Sequence, residues 1–101
     1  MDRAATFRTF IARSPQDPFP RYGLAMELRS RGDLEGASAA FAELITGFPD
    51  YVPTYLMAGN VLVALGRPTD AAAVYEKGIA ASTAKGDLHA KKELESALAE
   101  L

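Results

Sequence analysis

The chain has 101 residues, 49% of them hydrophobic and 24% charged, which suits one ordinary domain built on a single core. It contains no cysteine, so disulfides, thiolate metal sites and cysteine nucleophiles are excluded together, and its formal net charge of −2 gives no general attraction to nucleic acid. The opening MDRAATFRTFIAR places charge among its apolar positions, unlike a secretory leader, and the most apolar run, Val52 to Leu65, contains Pro53 and Asn60 and is too short to span a bilayer. A cytoplasmic protein with no membrane segment is expected.

The first helix is expected over Asp2 to Arg13, where Ala4, Phe7, Phe10 and Ile11 share one face and Arg3, Arg8 and Arg13 are left for water. Pro15 and Pro18 forbid its continuation. A second helix runs from about Phe19 to Arg31, with Pro18 and Pro20 in its first turn, Gln16 or Asp17 near its cap and Gly32 as its stop. The third covers Leu34 to about Thr46 and pairs with the second through small residues such as Ala37, Ala39 and Ala40. Pro49, Asp50 and Pro53 repeat the start signal for a fourth helix, about Val52 to Leu65, ended by Gly66. Pro68 opens a fifth, which carries Ala71, Ala72, Tyr75, Gly78 and Ile79 to about Ala84. Gly86 and Asp87 separate it from a sixth, Leu88 to Leu101, whose apolar residues Ala90, Leu94, Ala97, Leu98 and Leu101 are surrounded by charge. That profile suits a helix that caps a stacked array.

These elements repeat. Phe7, Phe41 and Tyr75 stand 34 residues apart, as do Ile11, Ile45 and Ile79, and Pro15 and Pro49 keep the same interval. A fixed period of that length marks a helical repeat. One slip interrupts it, since Asp17, Pro20 and Tyr22 match Asp50, Pro53 and Tyr55 at 33 residues, whereas Ala25, Leu28 and Gly32 match Gly59, Leu62 and Gly66 at 34. By this register the first helix is the second half of a unit whose first half is missing, leaving one flank of Phe7 and Phe10 without cover.

Leu24, Ala25, Leu28, Gly32, Ala37, Phe41 and Pro49, followed by Tyr55, Gly59, Leu62, Gly66, Ala71 and Tyr75, resemble the tetratricopeptide repeat family over Asp2 to Ala84. Ala58 stands where that pattern usually has Leu, and Thr83 where it closes with Pro. The resemblance implies an all-α, right-handed solenoid of helical hairpins. The chain would form one domain, 1–101: a half repeat over 2–13, repeats over 17–49 and 50–84, and a C-terminal capping helix over 87–101. It also implies a concave surface lined by first helices, which receives an extended peptide or a partner's helix.

Carried over by register, the residues facing that groove are Tyr22, Met26, Arg29 and Ser30, then Leu56, Asn60, Val63 and Ala64. The subset of the family that clamps a terminal carboxylate places Lys one turn before Asn; here Asn60 is present but Leu56 occupies the Lys position, so no such clamp is expected. Apolar side chains would be read instead, with Asn60 and Arg29 as polar fixes. Packing between neighbouring helices is the other role open to Tyr22, Met26, Leu56 and Val63.

Catalytic chemistry finds little to work with. His89 is the single histidine, no carboxylates pair for acid/base work, and no glycine-rich phosphate loop or G-x-S-x-G occurs. No enzyme, cofactor or metal is expected. Residues 1–31 hold six Arg against Asp2, Asp17 and Glu27, while the remainder holds five basic and ten acidic residues. Solvated helix faces account for this segregation, with an acidic-partner patch as the alternative. The expected function is an adaptor or scaffold that binds a protein or peptide partner in the groove; the alternative is structural self-association as a homodimer through Phe7 and Phe10 of the first helix.

Overall fold

A computed structural model describes residues 2–101. Six helices follow in order: α1 (Arg3–Arg13), α2 (Pro18–Ser30), α3 (Leu34–Gly47), α4 (Pro53–Ala64), α5 (Pro68–Lys85) and α6 (Leu88–Ala99). Their starts have local causes. Carboxylates of Asp2, Asp17, Asp33 and Asp87 accept from the backbone N–H of Ala4, Phe19, Gly36 and Ala90 at 2.9 to 3.1 Å, satisfying donors that the helix leaves unpaired. Helices α4 and α5 lack a side-chain cap and begin instead on Pro53 and Pro68, which have no amide hydrogen to satisfy.

The hairpin turns after α2 and α4 share one geometry. Gly32 and Gly66 adopt φ of 82° and 74°, and the next residue's N–H bonds back to a helical carbonyl, Asp33 to Leu28 and Arg67 to Leu62, each at 2.9 Å. A side chain in that left-handed region is strained, so glycine at this spacing sets where each hairpin reverses.

Consecutive helices pack on one another throughout, and α4 also packs on α6, which skips one helix. This is a helical-hairpin repeat solenoid. One buried cluster joins Ala25, Ala37, Phe41, Leu44, Ala58 and Val61 across α2, α3 and α4; a second joins Tyr55, Ala71, Tyr75 and Leu94 across α4, α5 and α6. Small residues admit the large ones. A Cβ on Gly59 would lie 2.1 Å from the Tyr75 ring, and one on Gly78 would lie 2.5 Å from Cβ of Tyr55 and 2.9 Å from a Leu94 methyl. Neither position has room for alanine without displacing a buried neighbour.

The 33-residue slip resolves in favour of 34 once the side chains are placed. The Tyr55 hydroxyl donates to the carbonyl of Pro49, and the Arg21 guanidinium reaches the carbonyl of Pro15 at 3.4 Å. Arg21 therefore stands where Tyr55 stands one unit later, and its cation also lies 5.8 Å from the centroid of the Phe48 ring. Helix α2 simply begins one residue earlier in its unit than α4, because Asp17 caps it.

Two predictions arise from this scaffold. Thr54 is fully buried and its hydroxyl has no hydrogen-bond partner among the described residues, a cost of about 1–3 kcal/mol for such a group. Thr54→Val keeps the branched shape and removes the hydroxyl, so thermal unfolding should move upward, with a gain of about 1 kcal/mol. The second concerns acid. Arg31 donates to the exposed Asp2 carboxylate and, with the Ala4 N–H, holds its pKa below the ordinary carboxylate range. A depressed folded-state pKa contributes stability above the unfolded value that is lost as pH falls through the folded one. Amide-exchange protection of α1 should fall on acidification through that window while protection of α3 persists, and added salt should shrink the difference.

Candidate protein-binding face

Helices α2 and α4 open successive hairpins, and α6 begins at the same interval: Pro18, Pro53 and Leu88, their first residues, are spaced 35 apart. Their exposed sides form one face, which carries the residues expected to read a partner. Tyr22 on α2 is held at its base by two edge-on rings, Phe41 at 6.1 Å and Tyr51 at 5.8 Å between centroids. Burial pushes its hydroxyl pKa up, so it remains a neutral donor. Met26, one turn on, packs against the Ala25–Phe41 cluster and opens on its other side into a crevice of about 330 Å³ shared with Phe7, Phe19, Tyr22 and Ser30.

Leu56 on α4 packs against the second cluster and lines two further crevices. The first, about 360 Å³, lies between Tyr22, Val52, Leu56, Met57 and Leu94, with Asp87, His89 and Glu93 at its rim. The second, about 430 Å³, continues along α4 and α6 past Asn60, Lys92, Ser96 and Glu100. A third of about 280 Å³ carries on past Val63, Tyr75, Ala97 and Leu101. Leu56, His89 and Glu93 are common to the first pair, and Asn60, Ala97 and Glu100 to the second, so the three form one furrow.

Asn60 differs from what its position on an apolar helix suggests. Its Oδ1 accepts from the Tyr75 hydroxyl at 2.6 Å, so its carbonyl is already engaged within the fold. The pairing explains a change between the units. Met26 stands 34 residues earlier opposite Phe41, a ring with no hydroxyl to satisfy, while Asn60 stands opposite Tyr75. The Asn60 amide NH2 keeps both of its donors and the carbonyl one further acceptor site.

The structure thus brings Tyr22, Leu56, Asn60 and Val63 along one furrow and places Met26 in the adjoining α1–α2 crevice. Arg29 lies exposed near the end of α2 and lines none of these crevices; Ala64 is likewise exposed outside them. Phe7 is half-buried with its ring against Gly23, and Phe10 remains 45% exposed. Sequence reasoning missed the α6 wall, His89, Glu93, Leu94 and Glu100. The signal was the start of α6, placed where a first helix of a third unit would begin.

No helix of the described residues is long and apolar enough to cross a membrane, and no cluster of three or more His, Asp or Glu among them is arranged to hold a metal. The tetratricopeptide repeat family profile matches residues 22–85. The chain belongs to that family. Among solved structures it is similar to the crystal structure of a tetratricopeptide repeat domain protein from Salinibacter ruber, with 37% identity and a TM-score of 0.79 over 83% of this chain and 93% of the other. It is also similar to a solution NMR structure of a tetratricopeptide repeat domain protein from the same organism, again at 37% identity, with a TM-score of 0.81 over 85% of this chain and 87% of the other. No curated protein matches the chain. A tetratricopeptide repeat fold supports a general protein–protein interaction module, and the family is typically a non-catalytic scaffold.

Proposed function

We propose that this tetratricopeptide repeat protein holds a segment of a partner protein along the face of α2, α4 and α6. The observation that carries the reading is the continuous furrow, whose wettest neighbours lie on α6 and whose floor on α4 contains no charged residue. An apolar side chain of the partner fills the crevice between Tyr22, Leu56 and Met57, displacing water from surface that is already half enclosed. The amide N–H groups of Asn60 are positioned to donate to the backbone of an extended segment, and Val63 extends the apolar floor beyond it. Met26 and Arg29 lie at the α2 margin, where Met26 offers an adaptable thioether surface.

Leu56→Glu tests this directly. Leu56 is partly exposed, so the variant should keep its helicity and unfold within about 1 kcal/mol of the parent, as for most surface changes, while capture of the partner is lost. Undiminished capture by a folded Leu56→Glu protein would refute the furrow reading.

A second reading is favoured by one contrast. Phe10 is 45% exposed, yet Leu44, its counterpart one unit later, is fully buried. A second copy covering Phe7 and Phe10 would remove that difference. The neighbouring Arg3, Arg8 and Arg13 oppose a symmetric pairing of two α1 helices, because like charges would meet. Light scattering over a wide concentration range separates the readings: a dimer that Phe10→Glu dissolves supports self-association, and a monomer throughout eliminates it.

A further inference from the structure

The furrow has a chemical bias, and it comes from one wall. Helix α4 contributes no charge, since Pro53–Ala64 contains no Asp, Glu, Lys or Arg. The α2 residue lining it is Tyr22, which is neutral. Every charged or titratable side chain facing it apart from the tyrosines therefore stands on α6 or at one of its two ends: Asp87, His89, Lys92, Glu93 and Glu100. His89 is engaged with Glu93 at 3.3 Å, and Asp87 is engaged as the cap of α6. Glu100 makes no ion pair among the described residues, and it adjoins the carboxyl-terminal end of α6, where unpaired carbonyls add negative potential. Three carboxylates against one lysine leave an apolar slot that is negative along one side and most negative toward its Glu100 end.

We infer that the furrow selects a partner segment of definite composition: an aliphatic residue seated between Tyr22, Leu56 and Met57, and a lysine or arginine reaching Glu100. The inference rests on the furrow reading above and adds the partner's chemistry to it. The spacing follows from geometry. Leu56 to Val63, like Glu93 to Glu100, covers seven residues of helix, roughly 10 Å at the helical rise, a length that an extended chain covers in about three residues. The aliphatic residue and the cation should thus lie about three residues apart in the bound segment. An acidic segment is rejected by the same wall that attracts a basic one, which sets this chain apart from carboxylate-reading arrangements built on a lysine.

Selection of a displayed library of random peptides on the immobilised 101-residue chain tests the inference. The parent protein should enrich peptides with an aliphatic residue and a Lys or Arg about three positions apart, and their binding should weaken as salt is raised. Glu100→Gln should lower the affinity of an enriched basic peptide about two- to fivefold, the range of a solvent-exposed ion pair, while leaving that of its neutral, glutamine-substituted version unchanged. Leu56→Glu should abolish enrichment of the aliphatic residue. Enrichment of aliphatic peptides with no preference for cations, or with a preference for acidic residues, would overturn the inference and leave the furrow reading intact. If Leu56→Glu enriches the same peptides as the parent, or neither enriches any, both fall.

Discussion

Tyr75→Ala should lower the unfolding free energy by about 3–5 kcal/mol, the range for deleting a buried aromatic ring. The ring is 2% exposed and rests directly on Gly59, so the space it leaves is bounded by a residue with no side chain to fill it. Its loss also frees the Asn60 carbonyl, which has no other hydrogen-bond partner among the described residues. For a domain whose total stability is of order 5–15 kcal/mol, the change removes about a fifth or more and should bring the urea midpoint down sharply at unchanged slope. Tyr75→Phe separates the two contributions. It keeps the ring and deletes the hydroxyl, so its cost should be near 1 kcal/mol, borne by the bond to Asn60. Equal losses in the two variants would show that the hydroxyl, not the ring, supports the second hairpin.

Leu94→Ala should cost about 2–5 kcal/mol, with an uneven effect along the chain. Leu94 is the one residue of α6 that is fully buried, and its methyl group occupies the space that a side chain at Gly78 would need. Ala97 and Leu98 support it only partly buried, and Leu88 is 66% exposed, so α6 is seated by a single peg. Native-state hydrogen exchange should show amides of α6 opening first and those of α3 retaining most of their protection. Uniform loss across all six helices would instead mean that α6 unfolds only together with the rest.

Much of the fold was legible because its packing rule is local and repeated. The aromatic at Phe41 and Tyr75 needs a small residue 16 positions earlier, Ala25 and Gly59, and both marks are visible in a linear string. The turns were legible for a similar reason, since a left-handed backbone at Gly32 and Gly66 leaves little choice of residue. The candidate site was less so. The α6 wall was hidden because its apolar residues do not reproduce the marks of α2 and α4: Leu94 is large where Gly78 is absent of side chain, a complementarity that exists only after α5 and α6 have met. Asn60 was misleading for a related reason. A polar residue on an apolar helix suggests a ligand, and only the position of the Tyr75 hydroxyl reveals that its acceptor is already engaged. The slip likewise came from matching like with like, Asp17, Pro20 and Tyr22 with Asp50, Pro53 and Tyr55, whereas the side chains that tie each unit to its preceding proline are the unlike pair Arg21 and Tyr55.

The succession of helices, each packed on its neighbour in sequence, has a kinetic side. Closing a hairpin such as α2–α3 brings together segments separated by a turn of a few residues, so little chain entropy is lost before contacts begin to compensate it. Such topologies fold in microseconds to milliseconds. The α4–α6 seam is different, since it forms only once α5 has been laid down between its two sides. The furrow is therefore a late product of folding and an early casualty of opening, and a segment bound there would act as a strap that slows the release of the last helix.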